Sequence, residues 1–568
     1  MTISAKDVTP RYIKSLDLAA LKDLCAMIRQ DLIERVTRTG GHIGSNLGLV
    51  EATVALHYVF DSPRDKFVFD VSHQSYVHKM ITGRYEDFMA GKTSGYTNPN
   101  ESEHDQFMVG HTSTAVSLAV GLATGRNVLG GTERVVAVLG DGSLSGGEAF
   151  EGINNAATVK GNLIVLFNDN EMSIAENKGG LYEGLAVLRR TKGEGEPNLF
   201  RALGLDYVYV EDGNDVGALI DAFERVKDCD HPIVVHVHTQ KGKGLAWAER
   251  DKERGHWISA ASWVPPKEAP LSVQIADRLA EKIERGENIV VVNAATPGAA
   301  GLTPAWRKRV GDRFVDVGIA EEHAVALASG LARRGAKPVW AVLSSFVQRT
   351  YDQLMQDLAL NGNPAVVLVY NGGMGYCDPT HAGLYDMAMM SNVPGLLCLA
   401  PTSKAQLLDT LDWAIDQTEM PVVIRVPYAY ADSTRPSDGF NRWQVWQTGA
   451  RVALLALGDM AEKAVDVCAY LRQNGVEPTL VACDRYSDVD EKTLDALLPT
   501  HDLFVTLENG ILSGGFGQKV AAYLADKDCK VLLRGAPKTF VDRKTYEQQI
   551  EANRMTPEAV LEDVRKYL

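Results

Sequence analysis

The chain has 568 residues, of which 45% are apolar and 23% charged, and a formal net charge of −15. This is the composition of an ordinary globular protein with enough chain for several buried cores. The acidic balance argues against nucleic acid or an anionic membrane as partner, since both demand basic surface. A local basic pocket around a phosphorylated ligand remains compatible with it. Seven cysteines with no C-x-x-C pair read as reduced thiols of a cytoplasmic protein. The opening MTISAKDVTPRYIKSL lacks a signal-peptide core, and runs such as AVVLVY (365–370) and GLLCLA (395–400) are too short to span a bilayer.

In chain order, LDLAALKDLCAMIRQDLIERV (16–36) carries apolar residues at helical spacing. Short apolar runs follow, alternating with helical stretches: FVFDVS, VVAVLG, LIVLFND, YVYVED and IVVHVHT. Such alternation predicts a mostly parallel sheet covered by helices. A proline-rich break at Trp263–Pro270 suits an extended linker. The plan then repeats with NIVVVNA, RFVDVG, PVWAVLSS, PAVVLVYN and VVIRVP, and a polar break, ADSTRPSDGF (431–440), precedes a third set. That set is ARVALLALGD, a helix through AEKAVDVCAYLRQNG, then PTLVAC, HDLFVTLEN and CKVLLRG. The predicted fold class is α/β, with three consecutive, mostly parallel domains over residues 1–265, 271–430 and 438–568.

The strongest chemical signal is Gly140-Asp141-Gly142 at one strand end and Asn168-Asp169-Asn170 at the next. Adjacent parallel strands bring both turns to the carboxyl edge of one sheet, where α/β proteins bind ligands. Asp141 then offers a carboxylate, Asn170 an amide oxygen and Met172 a backbone carbonyl. These hard oxygens, with diphosphate oxygens, suit the near-octahedral shell of Mg²⁺. Gly142 and Gly146 admit close backbone approach, and the helix that follows favours an anion. A lone G-D-G would more often be a plain strand–turn–helix; the pairing with N-D-N is what weighs against that. A Rossmann loop fits poorly, because G-D-G-S-L-S-G has its last glycine one place late and an acid where the pyrophosphate would sit.

GDG followed by NDN is the thiamine diphosphate fingerprint, and nearly the whole chain resembles the 1-deoxy-D-xylulose-5-phosphate synthase family of the transketolase superfamily. The resemblance runs through GGHIGSNLG (40–48), DVSHQSYVHK (70–79), VGHTST (109–114), NDNEMSI (168–174), TQKGKG (239–244), DVGIAEEHAV (316–325), SSFVQRTYDQ (344–353) and THAG (380–383). It implies thiamine diphosphate and Mg²⁺ as cofactors, with Asp141, Asn170 and Met172 on the metal. Gly110, His111, Gly140, Gly142, Ser143, Ile174 and Lys241 are implied for the cofactor, with His256 beside Lys241. It implies Glu321 as the carboxyl that addresses the pyrimidine ring, in a partly apolar site that raises its pKa. Glu322 reads as structural. Phe346 matches the aromatic stacked on the pyrimidine, and Arg349 the arginine of that wall. His42 and His381 are implied to face the substrate and His73 the diphosphate or substrate, as neutral imidazoles able to move protons. His57, His78, His104, His231 and His501 read as structural, and His236 and His238 as core or rim rather than a metal pair.

The resemblance fails at the acceptor. The family holds glyceraldehyde 3-phosphate with a tyrosine and two arginines, and the aligned positions here are Leu343, Tyr370 and Tyr428. An aspartate of the same wall is Cys377 or is displaced to Asp378. Each arginine–phosphate contact contributes about 1.5–3 kcal/mol, so losing two weakens phosphate binding by roughly 10²–10⁴-fold if additive. The segment after NDNEMSI is also shorter than the family's lid. Its Arg189, Arg190 and Lys192 read as a solvated charge run, with phosphate contacts as the alternative.

The sequence therefore predicts a two-carbon transferase acting from a 2-oxo acid or ketose donor to an aldehyde other than, or bound differently from, glyceraldehyde 3-phosphate. A homodimer is implied by the family. The alternatives are a genuine synthase that grips the phosphate with other groups, and a cofactor-binding regulatory protein without catalysis. The retained Glu321 argues against the last.

Overall fold

A computed structural model describes residues 7–265, 268–431 and 434–568. Parts of both expected linkers, at Pro266, Lys267, Asp432 and Ser433, lie outside the described residues. The chain forms two compact units. One holds the residues up to Pro265 together with Gly318–Ala320; the other holds the remainder, from the linker to Val317 and from Glu321 to Leu568.

The first unit contains a five-stranded sheet: β1 (Lys66–Phe69), β2 (Val135–Gly140), β3 (Ile164–Asp169), β4 (Asp206–Val210) and β5 (Ile233–His238). Their order is β1-β2-β3-β5-β4, and every pairing is parallel. These strands are the uninterrupted apolar runs of the sequence because helices bury both faces: Val136, Val138 and Ile164 pack into one cluster, Val135, Ala137 and Val165 into another. The long N-terminal helix, Leu18–Thr39, starts where Asp17 accepts the Ala20 N–H (2.9 Å) and stops at Gly40, whose φ is 77°.

The second unit contains two sheets. One comprises β6 (Ile289–Asn293), β7 (Phe314–Asp316), β8 (Lys337–Leu343), β9 (Val366–Tyr370), β10 (Leu397–Leu399) and β11 (Val422–Val426). Its order is β10-β11-β9-β8-β6-β7, parallel throughout. The other comprises β12 (Gln444–Gln447), β13 (Arg451–Leu457), β14 (Thr479–Cys483), β15 (His501–Ile511) and β16 (Lys530–Ala536), in the order β12-β14-β13-β15-β16. Here β12 runs antiparallel to β14. β12 is not among the strands expected from the sequence, whereas β10 lies within the apolar run GLLCLA; both are short edge strands. The two sheets share a core, since Trp340 and Val367 cluster with Leu455 and Phe504. Among the described residues no helix is long and apolar enough to cross a membrane.

Candidate active site

In the first unit, the β2–β3 pairing sets Gly140 opposite Asn168, and the Asp141 N–H donates to the Asn168 carbonyl at 3.0 Å. The two turns that leave these strands are therefore neighbours. Asp141 is 2% exposed, and neutral donors meet one of its carboxylate oxygens: the Met172 N–H at 2.9 Å and the Asn177 amide at 2.6 Å. Burial, and after it the nearby Asp169, push its pKa up to about 7. Asn170 Oδ1 and Asn177 Oδ1 are buried with no hydrogen-bond partner among the described residues.

A buried carboxyl ringed by neutral donors, with orphaned amide oxygens beside it, fits a divalent cation. The residues present therefore suit the metal that the motif implies. The loops are packed as closely as glycine allows. A Cβ on Gly142 would lie 2.8 Å from Ser173 Oγ, and one on Gly146 would lie 2.1 Å from Ser113 Oγ.

Gly110 and His111 lie in the loop that enters helix Ala115–Leu129, and buried Asp70 holds that loop by accepting the N–H groups of Ser113 (2.8 Å) and Ala115 (3.0 Å). Ser113 Oγ donates to the Ser143 carbonyl at 2.8 Å, tying the loop to the G-D-G turn. Ile174 follows Ser173, whose carbonyl accepts the Lys241 ammonium. That ammonium is 1% exposed by residue, and burial pulls its pKa down to about 7. Asp169, the middle residue of N-D-N, turns away from this site. It accepts from His236 Nε2 (3.0 Å) and pairs with Arg189 (2.6 Å). Arg189 thus belongs neither to a solvated charge run nor to a phosphate grip; it neutralises a buried acid. His238 pairs with Glu171 at 3.0 Å on the rim.

Three histidines far apart in sequence form a cluster. The ring centroids of His42 and His73 are 4.7 Å apart, those of His42 and His256 5.3 Å, and those of His73 and His256 5.2 Å. Burial holds His73 down at about 4, so it is a neutral imidazole near pH 7. Asn46, wholly buried, fixes the pair: its amide donates to the carbonyls of His42 (2.7 Å) and His73 (2.8 Å), and its oxygen accepts the Tyr76 N–H (2.9 Å). Sequence reasoning missed Asn46, Asn177 and the part of His256 in this cluster. Asn46 and Asn177 do lie inside or just after recognised motifs.

In the second unit, Glu321 opens helix Glu321–Arg333 and is 3% exposed. Its Oε2 has no hydrogen-bond partner among the described residues, and Arg349 Nη1 stands 3.5 Å from it. Burial raises its pKa and Arg349 partly opposes the rise. Phe346 and His381 meet edge to face at 5.7 Å between centroids, and His381 Nδ1 lies 2.9 Å from Thr380 Oγ1.

The expected acceptor wall needs correction. Tyr370 is 3% exposed and packs in the apolar cluster of Val366 and Leu368, its same-face neighbours on β9; Leu343 packs against that cluster. Strand alternation sends both to the core. Asp378 and Tyr428 remain on the loop side, with Cys377 between Tyr376 and Asp378.

The chain matches the 1-deoxy-D-xylulose-5-phosphate synthase model over residues 6–196 and 191–239, the transketolase pyrimidine-binding domain over 270–430 and the transketolase C-terminal domain over 441–560. It is 36% identical to the 1-deoxy-D-xylulose-5-phosphate synthase of Caldanaerobacter subterraneus, with 95% of each chain covered. The chain belongs to the 1-deoxy-D-xylulose-5-phosphate synthase family. Another member, the synthase of Pelotomaculum thermopropionicum, is 37% identical over 94% of this chain and 92% of its own. Among solved structures, the transketolase of Leishmania mexicana covers 100% of this chain and 97% of its own, at 15% identity and a TM-score of 0.45. As a member of this synthase family the chain is a thiamine diphosphate-dependent enzyme of transketolase type.

Proposed function

We propose that this family member is a thiamine diphosphate- and Mg²⁺-dependent transferase of two-carbon units, from pyruvate or another 2-oxo acid, or from a ketose, to an aldehyde. The acceptor is other than glyceraldehyde 3-phosphate, or is held differently from it. One observation carries the cofactor half of the reading: the buried, orphaned Asn170 oxygen two residues before Met172, whose N–H donates to the buried Asp141 carboxyl. Asp141, Asn170 and the Met172 carbonyl would hold the metal, and Gly110, His111, Gly140, Gly142, Ser143, Ile174 and Lys241 the diphosphate end. When bound, the cofactor supplies a nucleophilic carbon able to carry the two-carbon unit.

The chain's own groups do the rest. Burial raises the Glu321 pKa above that of an exposed carboxyl, which favours its protonated form, and Glu321 is the group proposed to give and take a proton. Phe346 offers a ring face, with Arg349 moderating the Glu321 charge. His42, His73 and His381 accept or return protons on substrate hydroxyls. The reading places the enzyme in the cytoplasm as a homodimer of three-domain chains, divided at 1–265, 271–430 and 438–568. Calorimetry of thiamine diphosphate added with saturating magnesium tests the cofactor half, with loss of uptake in Asp141→Ala and Asn170→Ala as the expected outcome. Uptake unchanged in both variants would sink it.

A second reading, a genuine 1-deoxy-D-xylulose-5-phosphate synthase, is favoured by relatives of that name covering 95% of the chain. Steady-state assay with pyruvate and glyceraldehyde 3-phosphate separates the two. A micromolar Michaelis constant for the phosphorylated aldehyde selects the second.

A further inference from the structure

The surface around the loop Gly372–Asp378 of the second unit is aromatic. Tyr376 is 67% exposed, Tyr428 52% and Phe540 83%. The Tyr428 ring lies on Gly375, where an added Cβ would stand 2.9 Å from Cε2. The segment 539–549 is fastened to the same loop: the Arg543 N–H donates to the Cys377 carbonyl at 2.9 Å and the Gln549 amide to the Gly375 carbonyl at 3.0 Å. Tyr385 joins them, its hydroxyl donating to Thr539 O at 3.1 Å and its ring 6.4 Å from that of Phe540. The loop leads directly to His381, whose N–H donates to the Asp378 carbonyl at 3.0 Å and whose ring meets Phe346.

The segment 539–549 also carries the exposed Lys544, but both guanidinium groups at the loop are engaged by carboxylates. The Arg425 guanidinium is bonded to Asp386 at 2.7 and 3.1 Å, and Arg543 to Asp542 at 2.9 Å. Burial, and then Asp378 and Asp542, push the Cys377 thiol up to about 11, as expected where nearby charge is negative. A phosphoryl dianion approaching this wall meets carboxylates and ring faces rather than a vacant guanidinium fork.

We infer that the wall formed by Tyr376, Tyr428 and Asp378 selects an uncharged aldehyde with an aromatic or similarly planar apolar tail, and disfavours a phosphorylated one. The inference rests on the transfer reaction proposed above. In that reaction pyruvate loses carbon dioxide, its remaining two-carbon acyl group forms a carbon–carbon bond to the aldehyde carbon, and the aldehyde oxygen takes up one proton. The product is an α-hydroxyketone. Exposed rings recognise a flat apolar tail by offset or edge-to-face stacking, which needs no charge on the ligand.

Two unreactive probes read the wall without turnover. 3-Phenyl-1-propanol and glycerol 3-phosphate are titrated into the full chain by saturation-transfer difference NMR, with the aryl alcohol expected to bind at least about tenfold more tightly. Tyr428→Arg, at an exposed position, should reverse the ratio by about tenfold or more; Tyr376→Ala should weaken the aryl probe alone. Tighter binding of glycerol 3-phosphate by the unaltered chain, or a ratio unmoved by Tyr428→Arg, overturns the inference. In parallel, pyruvate consumption is followed with benzaldehyde and with glyceraldehyde 3-phosphate. Faster consumption with the phosphorylated aldehyde overturns the inference and leaves the transfer reaction standing. Where neither aldehyde draws on pyruvate, the same pair is run with a ketose donor, and no turnover with either donor brings down the transfer reaction, and the inference with it, whatever the probes do.

Discussion

Substituting Gly142 by alanine adds one methyl group between the two loops that carry Asp141 and Asn170. Its backbone, at φ −59° and ψ −42°, is ordinary right-handed helical geometry, so alanine brings no backbone strain and the effect is steric alone. The added Cβ would stand 2.8 Å from Ser173 Oγ, 2.9 Å from its Cβ and 3.0 Å from its Cα, whereas ordinary contacts begin at 3.4 Å. A rotamer change frees the hydroxyl, but the Cα can move only with the backbone between Met172 and Ile174. The loops must therefore part by roughly 0.5 Å, and forcing an extra methyl into a packed site costs about 1–3 kcal/mol. Magnesium tolerates ligand errors of only about 0.2 Å, so much of that strain should fall on the metal site. The expected result is thiamine diphosphate binding, with magnesium saturating, weakened by about 5- to 150-fold in calorimetry. Gly147→Ala is the control, because this exposed glycine has nothing within 4 Å of its added Cβ, and it should bind within about twofold of the unaltered chain. Tight binding by Gly142→Ala, or equal damage from Gly147→Ala, would refute the reasoning.

Asn46→Asp replaces the amide that donates to the His42 and His73 carbonyls with an acceptor, leaving both unmet at a cost of about 2–5 kcal/mol; an unchanged urea midpoint would contradict this. Glu321→Gln keeps the shape of the side chain but removes its exchangeable proton, so turnover should fall by about 10²–10⁴-fold while thiamine diphosphate still binds. A rate within about tenfold of the unaltered enzyme speaks against a proton-carrying Glu321. Burial pushes the Glu508 carboxyl from its ordinary 4.5 up to about 8, although it accepts the Phe516 and Gly517 N–H groups. With the folded value above the unfolded one, its contribution is full below about 4.5 and is lost as the pH rises through about 8. Urea midpoints at about pH 6 and about pH 9 should differ more for the unaltered chain than for Glu508→Gln, and equal differences would remove Glu508 as the cause.

The sheet strands were legible because strands buried on both faces are mostly continuous apolar runs, as VVAVLG and AVVLVY are. Strand β12, QVWQ, carries no such run: it pairs at the edge of the third sheet and is half wet, so only its partner defines it. The meeting of the G-D-G and N-D-N turns was legible because both leave the ends of adjacent parallel strands. Within N-D-N, alternation at the end of β3 separates Asn168, whose Oδ1 accepts from Thr239, from Asp169, which meets His236 and Arg189; Asn170 lies beyond the strand. The same alternation was readable at Tyr370, two residues from Leu368 on one face, and it outweighs the alignment that assigns Tyr370 to the acceptor wall. The histidine cluster had no local signal, because His42 and His256 are brought together only by packing between distant segments.

The third sheet, to which the sequence assigns no chemistry, acquires a task from its contacts with the loop Gly372–Asp378, the acceptor wall of the proposed reaction. Asn509, on β15, accepts the Met374 N–H at 2.7 Å and donates its amide to Asp459 at 2.7 Å, while its backbone carbonyl accepts from Arg425 at 2.9 Å. Gly373 has a φ of 116°, and a Cβ there would lie 2.4 Å from the Asn509 amide nitrogen, so the loop can follow this path only with glycine at that position. The groups that set the path of residues 373–378 thus come from outside the second sheet's own strands. Acceptor preference in such an architecture can change by substitutions at Tyr376 and Tyr428 while the brace of Asn509, Asp459 and Arg425 stays in place. On the proposed reading, that separation lets the cofactor-holding residues stay unchanged while the substrate wall changes its chemistry.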